Sequence, residues 1–258
     1  MNREYYTYMP SFFRELFSAD HHVRPDPRHP DDTHFYLPEQ IGEMQGGVLS
    51  RYYKMVHPEG IRNDYDPSDA ISLRPMQSSF EDQWNAVRWR NTGWLDPWES
   101  GNPLAAAEGR DHPGLTFSGW LLGLRRSEKQ GRGSTFAVFH RGSLIGQISL
   151  GAVTYGAIRS GIIGYWIDRA QAGHGYIPRA AAILSDWAFF DPAGPRLHRL
   201  EIDMIPENTR SVRVAQKLGF TDEGVRKRYM YVNGRWQDHR IFSLLSDEFP
   251  RVSLKPYK

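Results

Sequence analysis

The stretch Gly161–Phe190, GIIGYWIDRAQAGHGYIPRAAAILSDWAFF, decides how the rest of the chain is read. Gly161 to Asp168 is a short apolar run rich in Ile, Tyr and Trp and bounded by Gly and Asp, the pattern of a buried strand. Ala172-Gly173-His174-Gly175-Tyr176-Ile177 then predicts a turn whose glycines let backbone N–H groups approach a bulky anion. Pro178 suits a first helical position, and Ala180, Ile183, Leu184, Trp187 and Phe190 predict the apolar face of an amphipathic helix. A helix N-terminus with free amides and a positive dipole end is a ready phosphate site. The competing reading is a turn that only reverses the chain. Two nucleotide motifs are excluded: the third glycine of the dinucleotide fingerprint falls at Pro178, and the Gly-Lys-Ser/Thr of a P-loop is absent.

Downstream, Arg199 to Ile205 predicts a strand, followed by Pro206-Glu207-Asn208-Thr209-Arg210-Ser211 and a helix over Thr209 to Leu218, capped by Asn208 and ended by Gly219. Other motifs stand in fixed order around it: Trp94-Leu95-Asp96-Pro97-Trp98-Glu99, Gly164-Tyr165-Trp166-Ile167-Asp168, His198-Arg199-Leu200-Glu201, Lys217-Leu218-Gly219-Phe220, and Asn233-Gly234-Arg235-Trp236 leading to Asp238-His239. Together they resemble the GNAT superfamily of N-acetyltransferases, and within it the ribosomal-protein-alanine acetyltransferases of the RimJ/RimL branch, over about Asp69 to Phe249.

The resemblance implies an α/β (mixed α+β) fold of the GNAT type, a mostly antiparallel twisted sheet flanked by helices. It implies acetyl-CoA as cosubstrate, no metal, and an amine acceptor, most simply the N-terminal α-amine of a ribosomal protein. By the same resemblance the turn Ala172, Gly173, His174, Gly175, Tyr176, Ile177 cradles the pyrophosphate, and the backbone of Tyr165, Trp166 and Ile167 pairs with pantetheine. Asn208 and Ser211 then lie beside the cosubstrate, with Ser211 as the acid for the leaving thiolate. Trp94 and Trp98, with Trp89, are either core or an aromatic wall over the acceptor site.

The chain departs from the family in three places. The first turn position, usually Gln or Arg, is Ala172, and the last, usually Gly or Ala, is Ile177. Met230 stands where RimL-like members carry a Glu before the final hairpin turn, and a thioether accepts no proton at neutral pH. Glu201 and Asp203, alternate residues on one strand face, are the nearest substitutes as base, with an ion pair or hydrogen bond from His198 or Arg199 as the structural alternative. Asp238 and His239 read as strand residues flanking a turn. A weak base suits an α-amine, with a pKa near 8 and so roughly a tenth neutral at pH 7, better than a lysine.

Composition bounds the rest. The 258 residues, 40% hydrophobic, allow one full core with an extension. Lys+Arg of 32 against Asp+Glu of 30, a formal charge of +2, argues against a dedicated nucleic-acid binder despite local clusters at Arg125-Arg126 and Arg226-Lys227-Arg228. The absence of cysteine removes disulfides, thiolate metal sites and a thiol nucleophile. With no apolar leader and no run of about 18 apolar residues, a cytoplasmic protein without membrane contact is expected. The histidines His21, His22, His29, His34, His57 and His112 lack metal-ligand spacing.

Three segments are expected: residues 1–68 as a partly irregular, aromatic-rich extension packed on the main domain or on a second subunit in a homodimer, 69–249 as the GNAT domain, and 250–258 as a tail. Within the domain the pattern predicts a strand over Asp69 to Met76 and a helix over Ser79 to Arg90 with Ser79 and Asp82 as a capping pair. A helix over Phe117 to Lys129, a hairpin of Ser134 to His140 with Leu144 to Val153, and a final hairpin around Asn233-Gly234 follow. Two other functions stay open: acetylation of a small amine such as an amino sugar, antibiotic or polyamine, and non-catalytic CoA binding.

Overall fold

The structure, a computed structural model, describes residues 71–104, 116–191 and 194–249, together with the backbone of a short strand, β1 (Phe35–Tyr36). Expectations for the first 70 residues, for the six histidines from His21 to His112 and for the C-terminal tail lie outside the described residues. Element order is β2 (Ile71–Pro75), α1 (Glu81–Arg90), α2 (Thr92–Leu95), α3 (Phe117–Lys129), β3 (Ser134–His140), β4 (Ser143–Thr154), β5 (Ser160–Ile167), α4 (Tyr176–Phe190), β6 (Arg199–Met204), α5 (Thr209–Lys217), β7 (Thr221–Val232) and β8 (Arg235–Leu245). The strands form one sheet in the order β1-β2-β3-β4-β5-β6-β8-β7, antiparallel throughout except where β5 runs parallel to β6.

Both tight hairpins follow from residues that tolerate positive φ. Arg141 (φ 50°) and Gly142 (φ 77°) join β3 to β4, and Asn233 (φ 47°) and Gly234 (φ 76°) join β7 to β8. Two consecutive positive φ values match the right-handed twist of the strands they connect. Alternation along the strands then builds a core on each sheet face. Phe136 and Val138 join Ile148, Leu150, Leu200, Ile202 and Met204 under α4, whereas Ala137 and Phe139 face Phe80, Val87, Phe117 and Leu121 under α1 and α3.

Three expectations need correction. The helix α4 is buried nearly all round, with Ala180, Ala181 and Ala182 at 0–1% exposure. It packs on the sheet and on α5, and the Phe249 ring meets Phe189 and Phe190, so only a narrow stripe of Ile183, Asp186 and Phe190 stays partly exposed. The Ser79/Asp82 capping pair does not form, because the chain enters α1 through a 3-10 turn, Ser78–Phe80, and Phe80 holds the cap position with no side-chain bond. Trp89 belongs neither to the core nor to an aromatic wall: it is 77% exposed on the outer side of α1.

The feature that positions the site is a parting of β5 from β6. Their parallel ladder pairs only Ser160, Gly161 and Ile162 with Arg199, Leu200 and Glu201. Beyond Ile162, β5 stays with β4 up to the Gly146–Ile167 pair, while β6 stays with β8 up to the Met204–Arg240 pair. The two halves of the sheet therefore diverge and leave a gap between them.

Candidate active site

The gap opens into a cleft of about 910 Å³. Its β5 wall is Ile162–Ile167, and the Asp168 N–H donates to Ile145 O at 2.8 Å. Alternation in an antiparallel ladder then turns Gly164, Trp166 and Asp168 toward β4; the Ile163 amide still closes the short ladder to β6, and the amides of Tyr165 and Ile167 turn into the gap, where no strand pairs with them. The Ile167 carbonyl accepts from Trp94 Nε1 at 3.1 Å.

At one end the cleft meets the N-terminus of α4. Gly173 (φ 89°) and Gly175 (φ 77°) hold left-handed conformations that side chains seldom adopt. Gly175 is the cap and, having no side chain, offers no side-chain cap bond to the first turn. A Cβ built on Gly173 would meet nothing within 4 Å, so the turn leaves room for a ligand against its backbone. The helix begins at Tyr176, earlier than Pro178 predicts, and Ile177 is helical, which removes any need for positive φ there. Ala172, Gly173, Gly175, Tyr176 and Ile177 line the cleft. His174 does not: its ring stacks on Tyr176 at 5.6 Å, and its carbonyl accepts from the buried Arg179 at 3.3 Å.

The α5 wall carries Asn208, Arg210, Ser211, Arg213, Val214 and Lys217. Asn208 caps the helix, its Oδ1 accepting from the Ser211 amide at 3.2 Å. The Ser211 hydroxyl faces the Tyr165 hydroxyl, which makes no well-formed hydrogen bond of its own. Burial pushes the Tyr165 phenol up, and the Ser211 hydroxyl offsets part of that. The cations Arg210, Arg213 and Lys217 escaped the sequence reading although their spacing of three and four places them on one helix face.

Across the sheet, Glu201 and Asp203 share a strand face but not an environment. Glu201 is 8% exposed, and its two oxygens are taken by Arg199 at 2.6 Å and Arg226 at 3.2 Å, an ion-pair network that Arg199 extends to Glu223. Asp203 lines the cleft, and both its oxygens are buried with no hydrogen-bond partner among the described residues. Burial, reinforced by the neighbouring Glu201 charge, pushes its carboxyl up to about 7. Met230, Val232 and His239 line the same end.

A roof closes over this end. Gly101 N donates to Tyr231 O at 3.0 Å and Asn233 N to Glu99 O at 3.2 Å, which ties the Trp98–Ser100 segment to the end of β7. Arg88, Trp94, Trp98 and Glu99 line the cleft beneath it, with Arg88 and Glu99 paired at 2.5 Å. The two ends are joined through Asp168, whose carboxylate accepts from Arg90, from Asn91 at 2.9 Å and from the Ala170 amide at 3.2 Å. Its burial raises the carboxyl, but these donors outweigh it and hold the group below the usual range. Among the described residues no cluster of His, Asp and Glu is arranged for a metal ion, and no helix is long and apolar enough to cross a membrane.

A mixed sheet that parts beside a glycine turn and a glycine-capped helix N-terminus is the arrangement the GNAT resemblance led one to expect, and the family match agrees. Residues 70–221 match the family described as acetyltransferase (GNAT) domain, and the chain belongs to that family. RimJ of Mycobacterium smegmatis, solved in complex with CoA-disulfide, is 32% identical with a TM-score of 0.62, covering 72% of this chain and 86% of that one. The ribosomal protein uS5-alanine N-acetyltransferase of Escherichia coli (strain K12) is 28% identical over 175 residues, 65% of this chain and 84% of the relative. Probable N-acetyltransferase YjcK of Bacillus subtilis (strain 168) is 36% identical over 105 residues, 41% of this chain, and the match spans 56% of that protein's length.

Proposed function

We propose that this chain transfers the acetyl group of acetyl-CoA to the N-terminal α-amine of a protein, by direct attack in a ternary complex. The observation that carries the reading is the parting of β5 and β6, because it connects the two sheet faces at one point. Ser211 and Tyr165 reach it from the α4 and α5 side, and Asp203 from the other. A thioester in the gap would have an acid on one side and a base on the other.

The residues present fit acetyl-CoA. The Ala172–Ile177 turn and the glycine-capped N-terminus of α4 offer backbone and a positive dipole end to the pyrophosphate, with Arg210, Arg213 and Lys217 adding charge nearby. Amides of Tyr165 and Ile167 are free to pair with pantetheine and to polarise the thioester carbonyl. Asp203 takes the ammonium proton in place of the Glu that Met230 replaces, and Ser211 protonates the departing thiolate. Glu201, held by two arginines, keeps the charge network around Asp203 in place.

An α-amine acceptor is supported by the Escherichia coli relative, which is named for alanine acetylation of ribosomal protein uS5, and by a carboxyl poised near 7 beside an amine of pKa near 8. The roof of residues 98–101 favours an extended tail over a bulky folded surface. The test is acetyl transfer to peptides with free N-termini, to matched peptides with blocked N-termini bearing lysine, and to small amines including amino sugars and polyamines. Transfer restricted to free N-termini is expected. Equal rates on blocked, lysine-bearing peptides would sink the α-amine assignment, and no turnover with any amine would leave a CoA-binding protein.

A further inference from the structure

Acetylation of an ammonium removes two protons from nitrogen, and a single carboxylate accounts for one. R–NH3+ must lose a proton before its lone pair can attack the thioester carbon. The tetrahedral adduct then carries an N–H2+ that must lose a second proton as the C–S bond breaks. Of the two protons, one is matched by the proton the thiolate gains and one leaves to solvent. A base already protonated by the first transfer cannot take the second without unloading.

Within the acetyl-transfer reading, we propose that His239 is the second proton acceptor, its Nε2 taking the proton from the tetrahedral adduct after Asp203 has taken the first. His239 sits on β8, one residue past the Met204–Arg240 pair and two from Ile241, the partner of Asp203. It therefore lies on the sheet face of Asp203, diagonally across, at a backbone separation of roughly 7–8 Å. The residue is 3% exposed and lines the cleft. Nδ1 lies 3.1 Å from the Gln237 carbonyl, which can only accept, so Nδ1 carries the hydrogen and Nε2 of the neutral ring is the lone-pair nitrogen. Nε2 makes no hydrogen bond with any described residue. The Tyr229 ring, 6.1 Å away and edge-on, braces the imidazole. The charged groups on this face are Asp203 and Glu201 from β6 and Arg226 from β7, the last two committed to each other, with Glu99 from the roof paired to Arg88. On this face of the sheet, among the described residues, such pairing leaves Asp203 and His239 each with unengaged acceptor atoms.

Amines of different basicity separate the two roles. H239N keeps a donor for the Gln237 carbonyl and removes Nε2, while H239Q keeps the length of the side chain without a titrating nitrogen. D203N is the reference. With a peptide of ordinary N-terminal basicity, D203N and H239N should each lose about 100-fold in kcat. With a peptide whose fluorinated first residue leaves its amine neutral at pH 7, D203N should recover most of its loss, because the first proton is already gone, and H239N should recover none. Acetyl-CoA KM should be unchanged in both. The proposal is overturned by recovery of H239N equal to that of D203N, or by a His239 effect confined to KM or melting temperature. A wild-type protein that transfers no acetyl group to any amine overturns the acetyl-transfer reading as well, whereas transfer undiminished in H239N overturns this proposal alone.

Discussion

Ser211 and Asp203 stand on opposite sides of the gap, and each is set by its neighbours. The Ser211 amide is held by Asn208, so its hydroxyl is left free to turn toward Tyr165 and the cleft. S211A should lower kcat by about 100-fold and leave acetyl-CoA affinity nearly unchanged, because protonation of the thiolate is needed only in the transition state. Steady-state kinetics with calorimetric affinities checks this, and a rise in KM at constant kcat would reduce Ser211 to a binding contact. For Asp203 the ionised carboxyl, near 7, takes the proton of an ammonium that would otherwise lose it only near 8. The pH profile of kcat/KM should therefore rise through about 7 to a plateau, and D203N should shift the rise to about 8. A wild-type profile that rises only through about 8 would mean that Asp203 does not take the proton.

At the scale of elements, the β5–turn–α4 unit carries the donor site. Gly175 caps α4 at φ 77°, and G175D would add both strain and a negative charge where the pyrophosphate is expected. Acetyl-CoA affinity should fall at least about 10-fold more than in G175A, which carries the strain alone. Titration calorimetry distinguishes them, and equal losses would show that charge at this helix end is irrelevant to the ligand. On the other side of β5, a Cβ at Gly146 would lie 2.4 Å from the Trp166 carbonyl and 3.1 Å from Ile167 Cα. G146A must push β5 away from β4 and should cost about 1–3 kcal/mol, read from the urea midpoint. An unchanged midpoint would mean that the β5 wall yields freely.

For the whole molecule, the buried carboxyls impose a pH dependence on stability. Asp203 has a folded value of about 7 against an ordinary 3.8, so between those values the folded state holds a proton that the unfolded chain lacks. Stability from this group is full below about 4 and declines as pH rises toward 7. Glu128, pushed up to about 7 mainly by burial, and Asp186, up to about 6, act in the same direction. Glu223, brought down to about 2 chiefly by Arg199, opposes them only in more acid solution. D203N should thus gain on wild type as pH increases from 5 to 8, by roughly 2–4 °C in Tm for each kcal/mol relieved. Calorimetric scans at the two pH values test it, and parallel Tm values would place the Asp203 carboxyl near its ordinary range.

The sequence by itself determined the order of strands and helices, the two-residue hairpins and the glycine turn. Each of these depends on local chemistry: alternating apolar residues, Asn233-Gly234 with positive φ, Asn208 as a cap, Gly219 as a stop. The GNAT resemblance also marked Asn208 and Ser211, which line the cleft. It could not separate Glu201 from Asp203, because two carboxylates at alternate positions read alike until Arg199 and Arg226 arrive from the same strand and from β7 to claim one of them. The nearly all-round burial of α4, the exposure of Trp89 and the position of His239 at the cleft were likewise decided by tertiary packing. Burial, pairing and proton affinity depend on which distant segments meet, and a sequence pattern gives the face a residue points to without giving what waits on that face.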